Sequence, residues 1–131
     1  MTDPAPTAVD EVVAVIRSMY EALGDRPRFD SHLHPKILMW ETDAPAMLEG
    51  LPALDALRDE RRERVTDGPR PVSVVPEIKA ADAWGDTGVV RYELWARFDG
   101  AAPDECFRVT DVMRRGEAGW QIVHHHAEKL T

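Results

Sequence analysis

Cysteine is nearly missing from this chain. Cys106 is the only one among 131 residues, so no internal disulfide is available and no oxidising compartment is implied. Between Glu105 and Phe107 at a strand start, it reads as a small hydrophobe rather than a nucleophile. Long apolar runs are missing too. None approaches the roughly 20 residues of a membrane helix, and no apolar leader segment follows Met1. No membrane partner is expected, and the cytoplasm is the expected location. Excess positive charge is likewise lacking. With 16 basic residues against 24 acidic ones the net charge is −8, which argues against nucleic acid as a partner. No repeat or low-complexity tract is visible.

What remains is an ordinary globular composition, 44% hydrophobic, long enough for one core. Its bias toward Ala, Arg, Asp, Val and Pro suits a GC-rich bacterial genome. Residues 1–6 are expected as a disordered tail and 7–131 as one domain. Thr7 and Asp10 form a capping-box pattern, and Val9, Val12, Val13, Ile16, Met19, Tyr20 and Leu23 recur at helical spacing up to Gly24. Arg28 to His34 predicts a short second helix stopped by Pro35, and Ile37 to Thr42 a strand. A third helix opens at Pro52, carries Leu54, Leu57, Arg61 and Val65, and ends at Asp67-Gly-Pro69. Its run Arg58-Asp-Glu-Arg-Arg-Glu-Arg64 reads as a solvated face laced with i,i+4 pairs.

Four strands follow: Pro71 to Ala80, Thr87 to Asp99, Cys106 to Arg115 and Trp120 to Glu128. Pro76 marks the first as an edge or a bulge. Helices followed by a meander make an α+β fold. Period-two alternation puts Arg91, Glu93 and Trp95 on one face with Arg108 and Thr110. On the last strand it groups Trp120, Ile122, His124 and His126 and turns His125 away. An amphiphilic face of this kind suits a small-molecule cavity better than a packed core. On the other face, Tyr92, Leu94 and Val123 leave apolar surface for a homodimer.

Three segments carry a family resemblance: Trp40-Glu-Thr-Asp-Ala with Leu48-Glu-Gly50, Val89-Val-Arg-Tyr, and Phe107-Arg-Val with Gly119-Trp-Gln-Ile-Val-His-His-His126. In these the chain resembles the NTF2-like superfamily, its SnoaL-like proteins, and the association domain of calcium/calmodulin-dependent kinases. The resemblance implies helices packed in a strongly curved antiparallel sheet, an NTF2-like cone with a pocket. It places Arg91 and Arg108 where the association domain binds small carboxylates, with Ala127 in place of a third arginine. It is also similar to ketosteroid isomerase, another member of that superfamily. There Glu41 falls near the base and Asp111 loosely at the acid, while the helix tyrosine falls at Met19 rather than Tyr20, so the constellation is incomplete.

The sequence therefore supports a cofactor-independent isomerase, cyclase or dehydratase acting on a carbonyl or polyketide-like substrate by general acid–base chemistry. Glu41 and His126 are its candidate catalytic residues. Tyr20, Trp40, Arg91, Glu93, Trp95, Arg108, Thr110, Trp120 and His124 are candidate ligand contacts. The alternative is a non-catalytic binding protein for a small organic acid. No metal is assigned, although His124 and His126 with His32, His34 or Glu41 would be the ligands to consider.

Overall fold

The computed structural model describes residues 5–64, 71–100 and 102–130. The tail expected over residues 1–6 falls mostly outside these. Val65 and the third helix's expected stop at Asp67-Gly-Pro69 also lie outside the described residues.

Helix α1 (Ala8–Glu21) begins as its sequence dictates. The Thr7 hydroxyl accepts from the Asp10 amide and the Asp10 carboxylate from the Thr7 amide, both at 3.1 Å. Its apolar stripe buries Val12, Ile16, Met19 and Tyr20. Helix α2 (Arg26–Asp30) is capped by Asp25 and has proline in its first turn. It stops short of the predicted end, and the chain is already extended in strand β1 (Leu33–Trp40). Pro35 is therefore no helix stop. It lies in β1 where pairing to the neighbouring strand is interrupted between Leu33 and Leu38, so its missing N–H leaves no gap in the ladder.

Strand β2 (Leu48–Glu49) and helix α3 (Gly50–Arg64) follow, then β3 (Pro71–Trp84), β4 (Thr87–Phe98), β5 (Glu105–Gly116) and β6 (Gly119–Lys129). The strands form one curved, unclosed sheet in the order β2-β1-β6-β5-β4-β3. Strand β1 runs parallel to β6, and every other pair is antiparallel. The sheet is therefore mixed, one pairing away from the antiparallel expectation. Pro76 lies on the edge strand β3, beside a register shift between Ile78 and Ala80.

Alternation holds along β4 and β5. Val90, Tyr92 and Ala96 are buried with Val109, Asp111 and Met113 beneath the helices. Arg91, Glu93, Trp95, Arg108 and Thr110 share the opposite face. The expectation that they line the hollow side is corrected here: the buried face is the other one. Tyr92 and Leu94, expected to offer apolar surface to a second copy, face the interior instead. The exposed hydrophobics Leu38, Trp40 and Val75 occupy the opposite face with Trp95.

Alternation fails on β6. Met113 pairs with Ile122 and Val112 with His124, so Val123 is an unmatched extra residue, a β-bulge. Trp120 and Ile122 point inward before it, and His125 and Ala127 point inward after it. His124 and His126 are thereby turned to the outer face, against the predicted grouping. This one-residue bulge decides which imidazole enters the interior.

Helix α1 comes close to the sheet at Gly88 on β4, where an added Cβ would sit 2.7 Å from a methyl of Val12. Val12 is itself fully buried in the core. Gly88→Ala is expected to destabilise the fold by about 1–3 kcal/mol through overpacking. Gly116→Ala, with nothing within 4 Å of the new carbon, is expected to stay within about 0.5 kcal/mol of the parent. Urea unfolding of both variants checks this, and equal midpoints would contradict the described contact.

Candidate functional site

A cavity of about 820 Å³ opens between the helices and the buried sheet face. Its walls are apolar: Met19 and Phe29 from α1 and α2, Leu33 and Met39 from β1, Leu54 from α3, Leu94 and Phe107 from β4 and β5. Three polar groups reach it from the interior: Tyr20, Glu41 and His125. Its mouth is lined by α3, with Arg58, Arg61, Arg62 and Arg64 opposite Asp43.

Behind His125 stands Asp111, fully buried on β5. Its Oδ1 is 2.5 Å from His125 Nδ1, and its Oδ2 accepts the Tyr92 hydroxyl at 2.6 Å. The Tyr20 hydroxyl lies 2.8 Å from that of Tyr92. Counting hydrogens sets the polarity of this chain. Tyr92 commits its only proton to Asp111, so the bond between the tyrosines must use the proton of Tyr20. All three donors point toward one carboxylate. Tyr20 therefore shows the cavity an acceptor oxygen, not a donor.

His125 spends Nδ1 on Asp111, which leaves Nε2 on the side of Glu41, whose Oε1 is 3.5 Å away. Burial, the largest influence on this imidazole, opposes its protonation. The charge and hydrogen bond of Asp111, aided by Glu41, outweigh burial and raise its pKa above the ordinary histidine value. Tyr20 and Tyr92 are pushed well above the usual phenol range, first by burial and then by the neighbouring network. Glu41 Oε2 meets Arg61 Nη2 at 3.2 Å. Arg61 in turn grips Asp43 through Nε at 2.8 Å and Nη2 at 2.7 Å, and Arg64 adds a third bond at 2.9 Å. The hydrogen bond from Arg61 is the largest of the effects that hold the Asp43 carboxyl well below the usual carboxylate range.

Of the residues picked out by sequence, Tyr20 and Glu41 meet in this cavity. Trp120 is buried but lies apart from it, its indole N–H donating to Glu11 of α1 at 3.1 Å. Trp40 is 43% exposed on the outer side of β1. Arg91, Glu93, Arg108, Thr110 and His126 do come together, yet on the outer face, around a depression of about 350 Å³ shared with Lys79 and Glu128. There Arg91 is already paired with Asp82 at 3.1 Å. Trp95 and His124 are also on that face. His32 is tied to Ser18 of α1 at 2.8 Å and to backbone carbonyls of α2, and the His34 ring accepts from the Lys36 amide. Among the described residues no three potential ligands converge on a metal position.

Asp111, met in the sequence only through the resemblance to ketosteroid isomerase, and Tyr92 and His125, assigned to the opposite face, were not among the candidate site residues. A signal existed for the first two. Asp111 interrupts the apolar set Val109 and Met113, and Tyr92 lies between Val90 and Leu94, so each is a polar group on a face built for burial. No comparable signal marked His125.

Comparison with known proteins agrees with this architecture. A family model for the SnoaL-like domain matches residues 12–127. Among solved structures, a CaMKII hub from S. rosetta superposes with a TM-score of 0.77 at 19% identity, covering 97% of this chain and 100% of its own. An NTF2-like protein from Pseudomonas putida gives 0.74 at 21% identity, covering 92% and 85%. A ketosteroid isomerase-like protein from Erwinia carotovora atroseptica gives 0.73 at 15% identity, covering 97% and 99%. No curated protein matches the sequence. At these identities the superpositions speak for the NTF2-like α+β fold, and the family model, which spans most of the chain, places it in the SnoaL-like domain family.

Proposed function

We propose that this protein is a cofactor-independent acid–base enzyme that isomerises, cyclises or dehydrates a small carbonyl compound. The observation that carries it is the His125–Asp111 dyad, seated in an apolar cavity with Glu41 beside the free ring nitrogen. The catalytic imidazole moves from His126, expected by sequence, to His125. Glu41 is the base and takes a proton from the carbon next to the substrate carbonyl. The imidazolium N–H of His125 donates to the oxygen on which charge develops. Asp111 is a positioning residue, since it holds the tautomer and stabilises the cation as it forms. Return of the proton to a different carbon completes an isomerisation. Loss of a β-hydroxyl, which leaves as water with the proton held by Glu41, completes a dehydration, and attack of the enolate carbon on a second carbonyl, whose oxygen takes that proton, completes a cyclisation. Tyr20 takes no part as an oxyanion donor, because its hydrogen is committed to Tyr92.

A second copy of the chain is the proposed protein partner, a homodimer. Its contact would be the outer sheet face that carries Leu38, Trp40, Val75 and Trp95, supported by the likeness to a hub domain.

Solvent deuterium exchange into β-tetralone, a simple enolisable ketone, tests the chemistry by NMR. The wild type is expected to accelerate exchange. Glu41→Gln and His125→Asn are each expected to lower the acceleration by about 100-fold or more. The rate should fall as pH rises through the raised His125 pKa, because the imidazolium donor is then lost. Exchange no faster than with an unrelated protein would sink the proposal.

Stability carries the same sign. The folded pKa of His125 lies above the unfolded one, so its contribution is fully present below about pH 6.5 and is lost as pH rises through the folded value. Across that window the wild type should lose up to about 1.4 kcal/mol per pH unit relative to His125→Asn. Thermal melts of both proteins over a pH series would show it, and parallel curves would refute it.

A further inference from the structure

We infer that the cavity takes an anionic small molecule, an apolar body with a carboxylate head, and that Arg61 receives the head by releasing Glu41. The inference rests on this cavity being the ligand site, though not on the acid–base step.

Three observations support it. First, charge is distributed against composition. The chain carries a net charge of −8, yet six basic side chains line this cavity against three carboxylates; Arg26, Arg58 and Arg64 also reach Asp55, Asp59, Asp30 and Glu60 outside the lining, while Arg62 makes no ion pair among the described residues. A cationic mouth over apolar walls matches a ligand whose charge stays at the entrance while its hydrocarbon goes in.

Second, the bonds of Arg61 are unequal. Asp43 holds it through two nitrogens at 2.8 and 2.7 Å, while Glu41 has one bond at 3.2 Å. The weaker contact can be exchanged without loosening the stronger. Nη1, with two further hydrogens, makes no hydrogen bond among the described residues. An incoming carboxylate could therefore meet the planar edge formed by Nη1 and Nη2, a geometry that guanidinium favours. Arg62, one residue on, also lines the mouth and adds attraction at longer range.

Third, the exchange is linked to the floor of the site. Glu41 is the residue between Arg61 and His125, touching one with each oxygen. An anion that takes the place of Glu41 on Arg61, with Asp43 still holding the guanidinium, leaves the full charge of Glu41 facing the imidazole. Ligand charge is then read before chemistry begins: a neutral molecule of the same shape fills the walls but leaves Glu41 bound to its arginine.

Phenylbutyrate and its neutral isostere phenylbutyramide separate charge from shape. Both are titrated against protein labelled at its methionine methyls, with Met19 and Met39 of the cavity wall as reporters. The carboxylate is expected to bind at least about tenfold more tightly than the amide at low salt. High salt should shrink that margin. Arg61→Gln should abolish it while leaving amide affinity in place, and Arg62→Gln should reduce it in part. The carboxylate should also raise the His125 pKa, followed by ring proton shifts, where the amide does not. Equal affinities, no shift of either methyl with either probe, or a preference that survives Arg61→Gln or high salt would each overturn the inference. Failure of ketone exchange alone would overturn the acid–base proposal and leave a charge preference standing, so the two fail separately.

Discussion

A carboxylate with no access to water organises this molecule. An unpaired charge in the position of Asp111 would cost several kcal/mol, so the structure must supply partners on every side. It does so from three elements: the imidazole of His125 on β6, the hydroxyl of Tyr92 on β4 and, through Tyr92, the hydroxyl of Tyr20 on α1. One side chain thus ties three adjacent strands to the helix that crosses them. Breaking any of these bonds leaves a buried polar group without a partner, which is why the cavity floor is more narrowly specified than its walls. Hydrocarbon walls accept many arrangements of similar volume.

Most of the frame could be read from the amino-acid order. The period of α1, its Thr7 and Asp10 cap, the edge character of β3 and the phase of β4 and β5 all follow from local rules that the fold respects. Two local rules were overridden. Pro35 reads as a helix terminator, but it is accommodated in β1 because pairing with β6 is broken around it. The three consecutive histidines read as a uniform alternation, but the extra residue Val123 shifts their phase. A bulge is a property of two strands in register, and no glycine marks this one, so a single strand's sequence does not reveal it. That is why the wrong pair of imidazoles and, with them, the wrong sheet face were assigned to the interior.

The arginines show the same limit in electrostatic form. Arg58 to Arg64 has the spacing of a self-paired solvent face, and such contacts exist, as between Arg64 and Glu60 at 3.7 Å. The shorter bonds leave the helix. Arg58 reaches Asp30 at 2.7 Å, and Arg61 and Arg64 reach Asp43 across the cavity mouth. Spacing on one helix identifies which charges can meet locally; it says nothing of a loop carboxylate brought within reach by β1 and β2. The arginines that address the cavity are accordingly those of α3, while Arg91 and Arg108 on the strands stay on the far side of the sheet.

The direction of the hydrogens then narrows the chemistry the floor can support. Two phenols beside a buried acid could equally form a relay aimed at a ligand oxygen, with the acid protonated and each hydroxyl donating outward. Here the phenol of Tyr92 donates to one oxygen of Asp111 and Nδ1 of His125 meets the other, so the contacts converge on the carboxylate. The relay therefore ends at Asp111 rather than at the cavity. What Asp111 loses as a possible donor, His125 gains, because the same negative charge that orients the ring also favours its protonated state. A single imidazolium N–H, flanked by the carboxylate of Glu41, is then the one donor that the floor presents. Stabilisation of developing negative charge and acceptance of a proton fall on adjacent side chains, and both are under the influence of one arginine at the mouth.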